Sequence, residues 1–114
     1  CIMLLLWMLG CFSEVEEATF PEHFAEEQCV LYKRCYRAKF DGEFETMGNC
    51  VEKLARDISD EAEELYEGCT FQAEKAQECL NEFSSATCAQ YWDEYNAAAG
   101  DLYTLCHEET WNCE

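Results

Sequence analysis

The residues most able to do chemistry are the cysteines, ten among 114 residues. None is separated from the next by the two to four residues typical of a zinc-binding pair. In a short chain, this cysteine content is typical of a disulfide scaffold made in an oxidising compartment. With Cys1 and Cys11 set aside, the remainder suffices for four disulfides: Cys29, Cys35, Cys50, Cys69, Cys79, Cys88, Cys106 and Cys113.

Other catalytic or ligating patterns are weak. His107 stands beside Cys106, Glu108 and Glu109, a set able to bind a metal, but the interpretation that we favour is a solvated C-terminal turn. A Cys–His nucleophile requires a thiolate, which disulfide formation removes. Carboxylates are so numerous that no pair stands out, and "DISDEAEELYE" (57–67) is typical of a solvated helix face. We therefore predict no catalytic residue, no metal and no cofactor, and hence no enzyme.

The charge is strongly acidic, with 7 Lys plus Arg against 25 Asp plus Glu and a net charge of −18. Such a balance argues against nucleic-acid binding, which requires a basic surface. More than half of the basic residues lie in "KRCYRAK", namely Lys33, Arg34, Arg37 and Lys39. They form either a docking patch for an anionic partner or a set of cations that neutralise nearby acids.

Four aromatic residues also allow two interpretations. Tyr91, Trp92, Tyr95 and Tyr103 fall at the spacing of a helical core, and the alternative is that they line a ligand groove.

The N-terminal stretch is an apolar segment followed by a cysteine. Residues 2–9, "IMLLLWML", are too few to cross a bilayer but match the middle of a signal peptide. Leu9-Gly10-Cys11 resembles the end of a bacterial lipoprotein signal, in which the cysteine receives a diacylglycerol. We therefore expect residues 1–11 to be a truncated lipoprotein signal peptide ending at a lipidated Cys11, and residues 12–19 to be an acidic tether. The alternative is secretory cleavage after Ser13.

The elements that must position these groups are helices. The periodicity predicts helix 1 from a Thr19 cap to about Lys39, and helix 2 from an Asn49 cap to Gly68. The apolar positions of helix 2 recur with the clearest helical spacing in the chain: Val51, Leu54, Ala55, Ile58, Ala62 and Leu65.

Two further helices complete the predicted domain, residues 20–114. Helix 3 follows a Thr70 cap, and helix 4 follows a capping box of Thr87 and Gln90. Gly100 should interrupt helix 4 before a last short turn, and no stretch alternates like a strand. The fold class predicted is all-α, a small disulfide-stapled antiparallel bundle of about four helices.

Helix geometry restricts the disulfides. Cys29 and Cys35 are six residues apart, a rise of about 9 Å in one helix, whereas bridged Cα atoms lie within about 7 Å. Each must therefore reach another element. The antiparallel arrangement favours Cys35–Cys50 and Cys29–Cys79, and leaves the other four cysteines unassigned.

The cysteine pattern from about residue 24 to 114 resembles small Cys-rich lipoproteins of myxobacteria and related bacteria. The residues that carry the resemblance are Cys29, Cys35, Phe44, Cys50, Val51, Cys69, Thr70, Phe71, Ala76, Cys79, Leu80, Cys88, Cys106, Trp111 and Cys113. The resemblance implies a fold but no biochemical activity and no catalytic residues.

These features together predict a lipoprotein at the outer membrane or the periplasmic face of a bacterial envelope. Its role would be that of a non-catalytic interaction or structural module, with the membrane and an envelope protein as partners. The alternatives are a small-ligand carrier that uses the bundle interior and a freely secreted signalling or toxin-like protein.

Overall fold

The computed structural model describes residues 14–95 and 97–113, so the predicted signal peptide and lipidated Cys11 lie outside the described residues. The protein is mostly helical, and the predicted fold class is confirmed. Its elements in chain order are α1 (Phe20–Cys35), α2 (Arg37–Glu43), α3 (Met47–Leu65), β1 (Thr70–Phe71), α4 (Ala73–Ser84), a π-helical segment (Gln90–Tyr95), α5 (Gly100–Cys106) and β2 (Trp111–Asn112).

The predicted first helix is divided at Tyr36, which has φ −138° and ψ 60°. The Tyr36 N–H still bonds the Tyr32 carbonyl at 2.8 Å, which closes α1 before α2 begins. The new direction of α2 buries Phe40 completely against the Tyr32 ring, with centroids 6.1 Å apart. The break follows from tertiary packing, since nothing in the local sequence requires it.

Helix α3 begins at Met47, directly after Thr46, and uses a different cap from the one predicted. The Asn49 N–H donates to the Thr46 hydroxyl at 3.1 Å, so Thr46 is the cap and Asn49 lies inside the first turn. The apolar stripe of this helix is only half-buried, and Cys50 is its one fully buried residue among those described.

The structure contains a short pair of strands that the sequence did not predict. Thr70–Phe71 pairs antiparallel with Trp111–Asn112, and Gln72, rather than Thr70, precedes α4. Two-residue strands are too short to show alternation, so the sequence offered no periodic signal. The pair ties the two ends of the C-terminal half together beside the Cys69–Cys113 disulfide.

The capping box at Thr87 and Gln90 is confirmed in both directions. The Gln90 N–H bonds the Thr87 hydroxyl at 3.1 Å, and the Thr87 N–H bonds the Gln90 side-chain oxygen at 2.8 Å. The helix it opens is π-helical over Gln90–Tyr95. Gly100, with φ +86°, begins α5 instead of interrupting a longer helix.

The eight cysteines form four disulfides, and both predicted pairings are wrong. The interior bridges, Cys29–Cys50 and Cys79–Cys106, join buried sulfurs, whereas the surface bridges, Cys35–Cys88 and Cys69–Cys113, each include an exposed cysteine. Because α2 turns back after Tyr36, α3 starts level with Cys29, not with Cys35. The exclusion of a Cys29–Cys35 bridge is confirmed.

The described part of the predicted acidic tether lies on the domain. Val15 is buried, and its N–H donates to the Gln77 side chain of α4 at 3.1 Å. The Thr19 hydroxyl donates back to the Glu16 carbonyl at 3.3 Å and makes no cap bond to α1. The ordered domain thus begins at least five residues before Phe20.

The burial of the bridges predicts the order in which they reduce. At limiting reductant under native conditions, the two surface bridges should open before the two interior bridges, because a reductant must reach the sulfur directly. Timed alkylation and peptide mapping check the order, and in denaturant the difference should vanish. An interior bridge opening first in the native protein would contradict this burial pattern.

Candidate functional site

The four basic residues predicted as a docking patch all have partners inside the domain. Lys33 and Lys39 place their ammonium groups 5.6 Å and 4.7 Å from the ring centres of Phe40 and Trp92. Arg37 pairs with Asp41 at 3.4 Å on the surface of α2, and Arg34 donates to the Ala86 carbonyl at 3.0 Å. These contacts favour the neutralising and structural interpretation, and a docking role for this cluster stays a prediction.

The four aromatic residues of the C-terminal half divide into two groups. Tyr95 and Tyr103 surround His107, whereas Tyr91 and Trp92 line a cavity. Tyr91 also belongs to the hydrophobic core, and Trp92 and Tyr95 pack against that core, so a ligand groove stays a prediction.

His107 is the centre of a hydrogen-bonded aromatic cluster. The Tyr66 hydroxyl lies 3.3 Å from Nδ1, and the Tyr95 hydroxyl lies 3.0 Å from Nε2. The Tyr103 ring stacks on the imidazole with centroids 4.2 Å apart. Both ring nitrogens are satisfied when one tyrosine accepts and the other donates, which is the pattern of a neutral imidazole.

Burial keeps this histidine neutral. It lowers the pKa of His107 to about 4, because a charged imidazolium would lose its hydration in the interior. Burial likewise raises the pKa of Tyr95 well above its usual value, and the nearby Glu61 carboxylate adds to that effect. The cluster therefore carries no charge at neutral pH, and its chemistry is that of a packed polar core.

A cavity of about 280 Å³ opens between α1, α2, α3 and the π-helical segment. Its walls combine aromatic rings with a carboxylate and an amide: Gln28, Tyr32, Glu43, Phe44, Leu54, Tyr91 and Trp92. The volume lies at the lower end for small-molecule sites, which suits a ligand smaller than a drug molecule.

The polar groups of this cavity are unusual in their bonding. The Tyr32 hydroxyl donates to the Glu43 carboxylate at 2.9 Å. Gln28 and Tyr91 are only 8% and 7% exposed, yet neither side chain forms a hydrogen bond with any other described residue. Burial, followed by the neighbouring Tyr32 and Glu43, raises the pKa of Tyr91 to about 12, so its hydroxyl stays protonated.

The sequence reasoning missed Gln28, Tyr32 and Glu43 as members of a site. One signal was present, since Gln28 falls four residues after Phe24 and three before Leu31 on the buried face of α1. A polar side chain on such a face needs a partner or an opening. Glu43, by contrast, is one acid among many and offers no signal of its own.

A second, more open depression lies between α1 and α3. This α1–α3 groove, of about 850 Å³, has an apolar floor of Val30, Met47, Val51 and Ala55. Glu22, Glu26 and Glu52 line its edge. Val30 is 52% exposed, a high value for a large apolar side chain.

The described residues form neither a metal-binding cluster nor a membrane-spanning helix. Within residues 14–95 and 97–113, no three His, Cys, Asp or Glu residues come together closely enough to hold a metal ion. None of the helices described there is both long and apolar enough to cross a membrane.

Comparisons with family models, curated proteins and solved structures find no match for the chain. The resemblance to small Cys-rich lipoproteins therefore stays a prediction.

The buried histidine predicts a loss of stability in acid. The pKa of His107 is about 4 in the folded protein and 6.5 as its ordinary value, so the unfolded chain binds the proton more readily between these limits. The stabilisation is complete above pH 6.5 and declines as the pH falls towards 4, by about 3 kcal/mol at most.

Urea unfolding of the protein and of His107→Gln across this range measures the effect. Glutamine can still donate and accept a hydrogen bond but does not titrate. Burial raises the pKa values of Glu27 and Glu61, so protonation of these acids stabilises the folded state as the pH falls. This effect is opposite in sign to that of His107, but it is the same in both proteins and cancels in the comparison. Parallel stability curves for the two proteins would contradict the assignment.

Proposed function

We propose that the protein is an extracytoplasmic lipoprotein, a non-catalytic interaction module that binds a basic amphipathic segment of an envelope protein in its α1–α3 groove. The observation that carries the proposal is the half-buried apolar face of α3. This helix has the clearest amphipathic pattern in the chain, and yet only Cys50 of its described residues is fully buried. An apolar helix face left partly uncovered is typical of an interaction surface.

The chemistry of the groove selects the occupant. Val30, Val51 and Ala55 offer an apolar track along two neighbouring helices, which fits the spaced apolar side chains of a helix. The acids at the edge, Glu22, Glu26 and Glu52, attract lysine or arginine on the flanks of that helix. The net charge of −18 adds long-range attraction for a basic partner and repels acidic ones.

The disulfides support a location outside the cytoplasm. Four disulfides are compatible with an extracellular or periplasmic location, where thiols are oxidised. Within that location, a diacylglycerol on Cys11 would hold the protein at a bilayer, whether at the outer membrane or at the periplasmic face.

The N-terminal segment would keep the anchored domain close to the lipid. Val15 is bound to α4 through Gln77, and only three residues lie between it and Cys11. Cys11 and Val15 are therefore four positions apart and can be separated by at most about 14 Å. A lipidated chain would therefore present its domain at the membrane surface, where a partner in the same membrane is easily reached.

The lipid anchor is tested on the mature protein from its own host. Cys11 should carry a thioether-linked diacylglycerol, and the protein should partition into the detergent phase. Replacing Cys11 by Ala should abolish both, whereas the disulfides should remain. A mature N-terminus at Glu14 without added lipid mass would contradict the anchor and favour the freely secreted protein.

The groove is tested with two synthetic helical peptides that share one leucine face and differ in carrying either lysines or glutamates elsewhere. The lysine peptide should bind with saturation in fluorescence anisotropy, and the glutamate peptide should not. Val30→Glu should weaken binding of the lysine peptide by about tenfold, because a charge would have to be buried against its leucines.

Leu65→Glu is the matched control, since Leu65 is similarly exposed at 57% but lies outside the groove. Both variants add the same negative charge. If attraction to the acidic surface alone caused binding, both would tighten it. Equal effects of the two substitutions would therefore contradict groove binding, and comparable melting temperatures would confirm that both variants fold.

A further inference from the structure

The cavity between α1, α2, α3 and the π-helical segment combines aromatic rings, a carboxylate, an amide and a hydroxyl in its walls. We infer that it is a binding site for a small organic cation of the alkylammonium type that also carries a hydrogen-bonding group. This inference goes beyond the proposed docking function and does not depend on the lipid anchor or on the groove.

Two hydrogen-bonding side chains of the cavity have no protein partner among the described residues. Gln28 and Tyr91 are more than nine-tenths buried, line the same cavity, and bond no other described residue. No fully enclosed polar side-chain atom of the described residues lacks a partner, so the polar atoms of Gln28 and Tyr91 are accessible to solvent, and both residues line the cavity. A buried amide and hydroxyl left without protein partners require a bound molecule or water.

The exposed Glu43 carboxylate lines the cavity and determines the sign of the ligand charge that it attracts. It accepts a hydrogen bond from Tyr32 at 2.9 Å, which orients it at the cavity. Among the described residues, no ammonium or guanidinium lies within 4.0 Å of it, although α1, α2 and α3 carry six of the seven basic residues. A carboxylate that is available in this way attracts a cation and repels an anion.

Aromatic rings line the cavity beside this carboxylate. Tyr32, Tyr91 and Trp92 stand next to one another, with centroid distances of 6.2 Å for Tyr32–Tyr91 and 6.5 Å for Tyr91–Trp92. Aromatic walls beside a carboxylate recognise alkylated ammonium groups, whose charge is spread over a surface that packs on ring faces. The domain already uses this chemistry internally, since the Lys39 ammonium lies 4.7 Å from the Trp92 ring centre.

The unbonded amide and hydroxyl, the carboxylate and the aromatic rings together define the ligand class. The alkylammonium head would lie among the rings near Glu43, and a hydroxyl or amide on the ligand would bond Gln28 and Tyr91. The cavity of about 280 Å³ limits the ligand to a small molecule. Choline has both parts and serves as the probe.

The test is titration of the oxidised protein with choline chloride at constant ionic strength, followed by calorimetry and tryptophan fluorescence. The comparison compound is 3,3-dimethylbutan-1-ol, which has the same shape and hydroxyl but no charge. Choline should bind with one-to-one saturation and about tenfold more tightly than the neutral compound. Equal binding of the two compounds, or no saturable binding of choline, would overturn the inference.

Variants locate the binding. Glu43→Gln should weaken choline binding by about tenfold and leave binding of the neutral compound unchanged. Glu74→Gln changes the net charge equally at a position outside the cavity and should have little effect. Equal weakening by both variants would indicate attraction to the whole acidic surface and would overturn the site.

Two further variants test the remaining parts. Tyr91→Phe should weaken binding of choline but not of tetramethylammonium, which lacks the hydroxyl. Lys39→Gln removes the like charge held over Trp92 and should tighten choline binding by about twofold. Loss of binding in Lys39→Gln would assign the attraction to the ammonium and overturn the cation assignment. None of these outcomes depends on the α1–α3 groove.

Discussion

The structure depends on a constraint inside α1, whose two cysteines cannot reach each other. Cys29 and Cys35 are separated by about 9 Å along the helix axis, so each must bind a different element. Cys29 joins α3 through Cys50, and Cys35 joins the segment that leads into the π-helix through Cys88. The first helix therefore becomes the element to which both halves of the chain are tied.

The surroundings of α1 follow from these two attachments. Because the chain turns at Tyr36, α2 returns alongside α1 and delivers α3 to the level of Cys29. The same turn brings Glu43 of α2 to Tyr32 of α1 at 2.9 Å. One backbone break thus makes the interior bridge and the acidic wall of the cavity together.

Disulfides also permit a surface that an ordinary small core would not. Each bridge contributes about 2–4 kcal/mol, which offsets the repulsion within a strongly acidic chain. With the chain closed in this way, α3 does not have to bury its whole apolar face, and Gln28 and Tyr91 need no hydrogen bond to another described side chain. The uncovered groove and the cavity are both consequences of a fold held by covalent links as well as by packing.

The sequence by itself determined the helical class, the disulfide scaffold and the capping box at Thr87, because periodicity, cysteine number and local hydrogen bonding are properties of neighbouring residues. It also excluded a bridge between Cys29 and Cys35, since that distance is fixed within one helix. The tertiary structure decided the actual pairings, the break at Tyr36 and the two-residue strands, which depend on contacts between distant segments. It also decided the site, because Gln28, Glu43 and Tyr91 come from three elements, and no local pattern specifies where three helices meet.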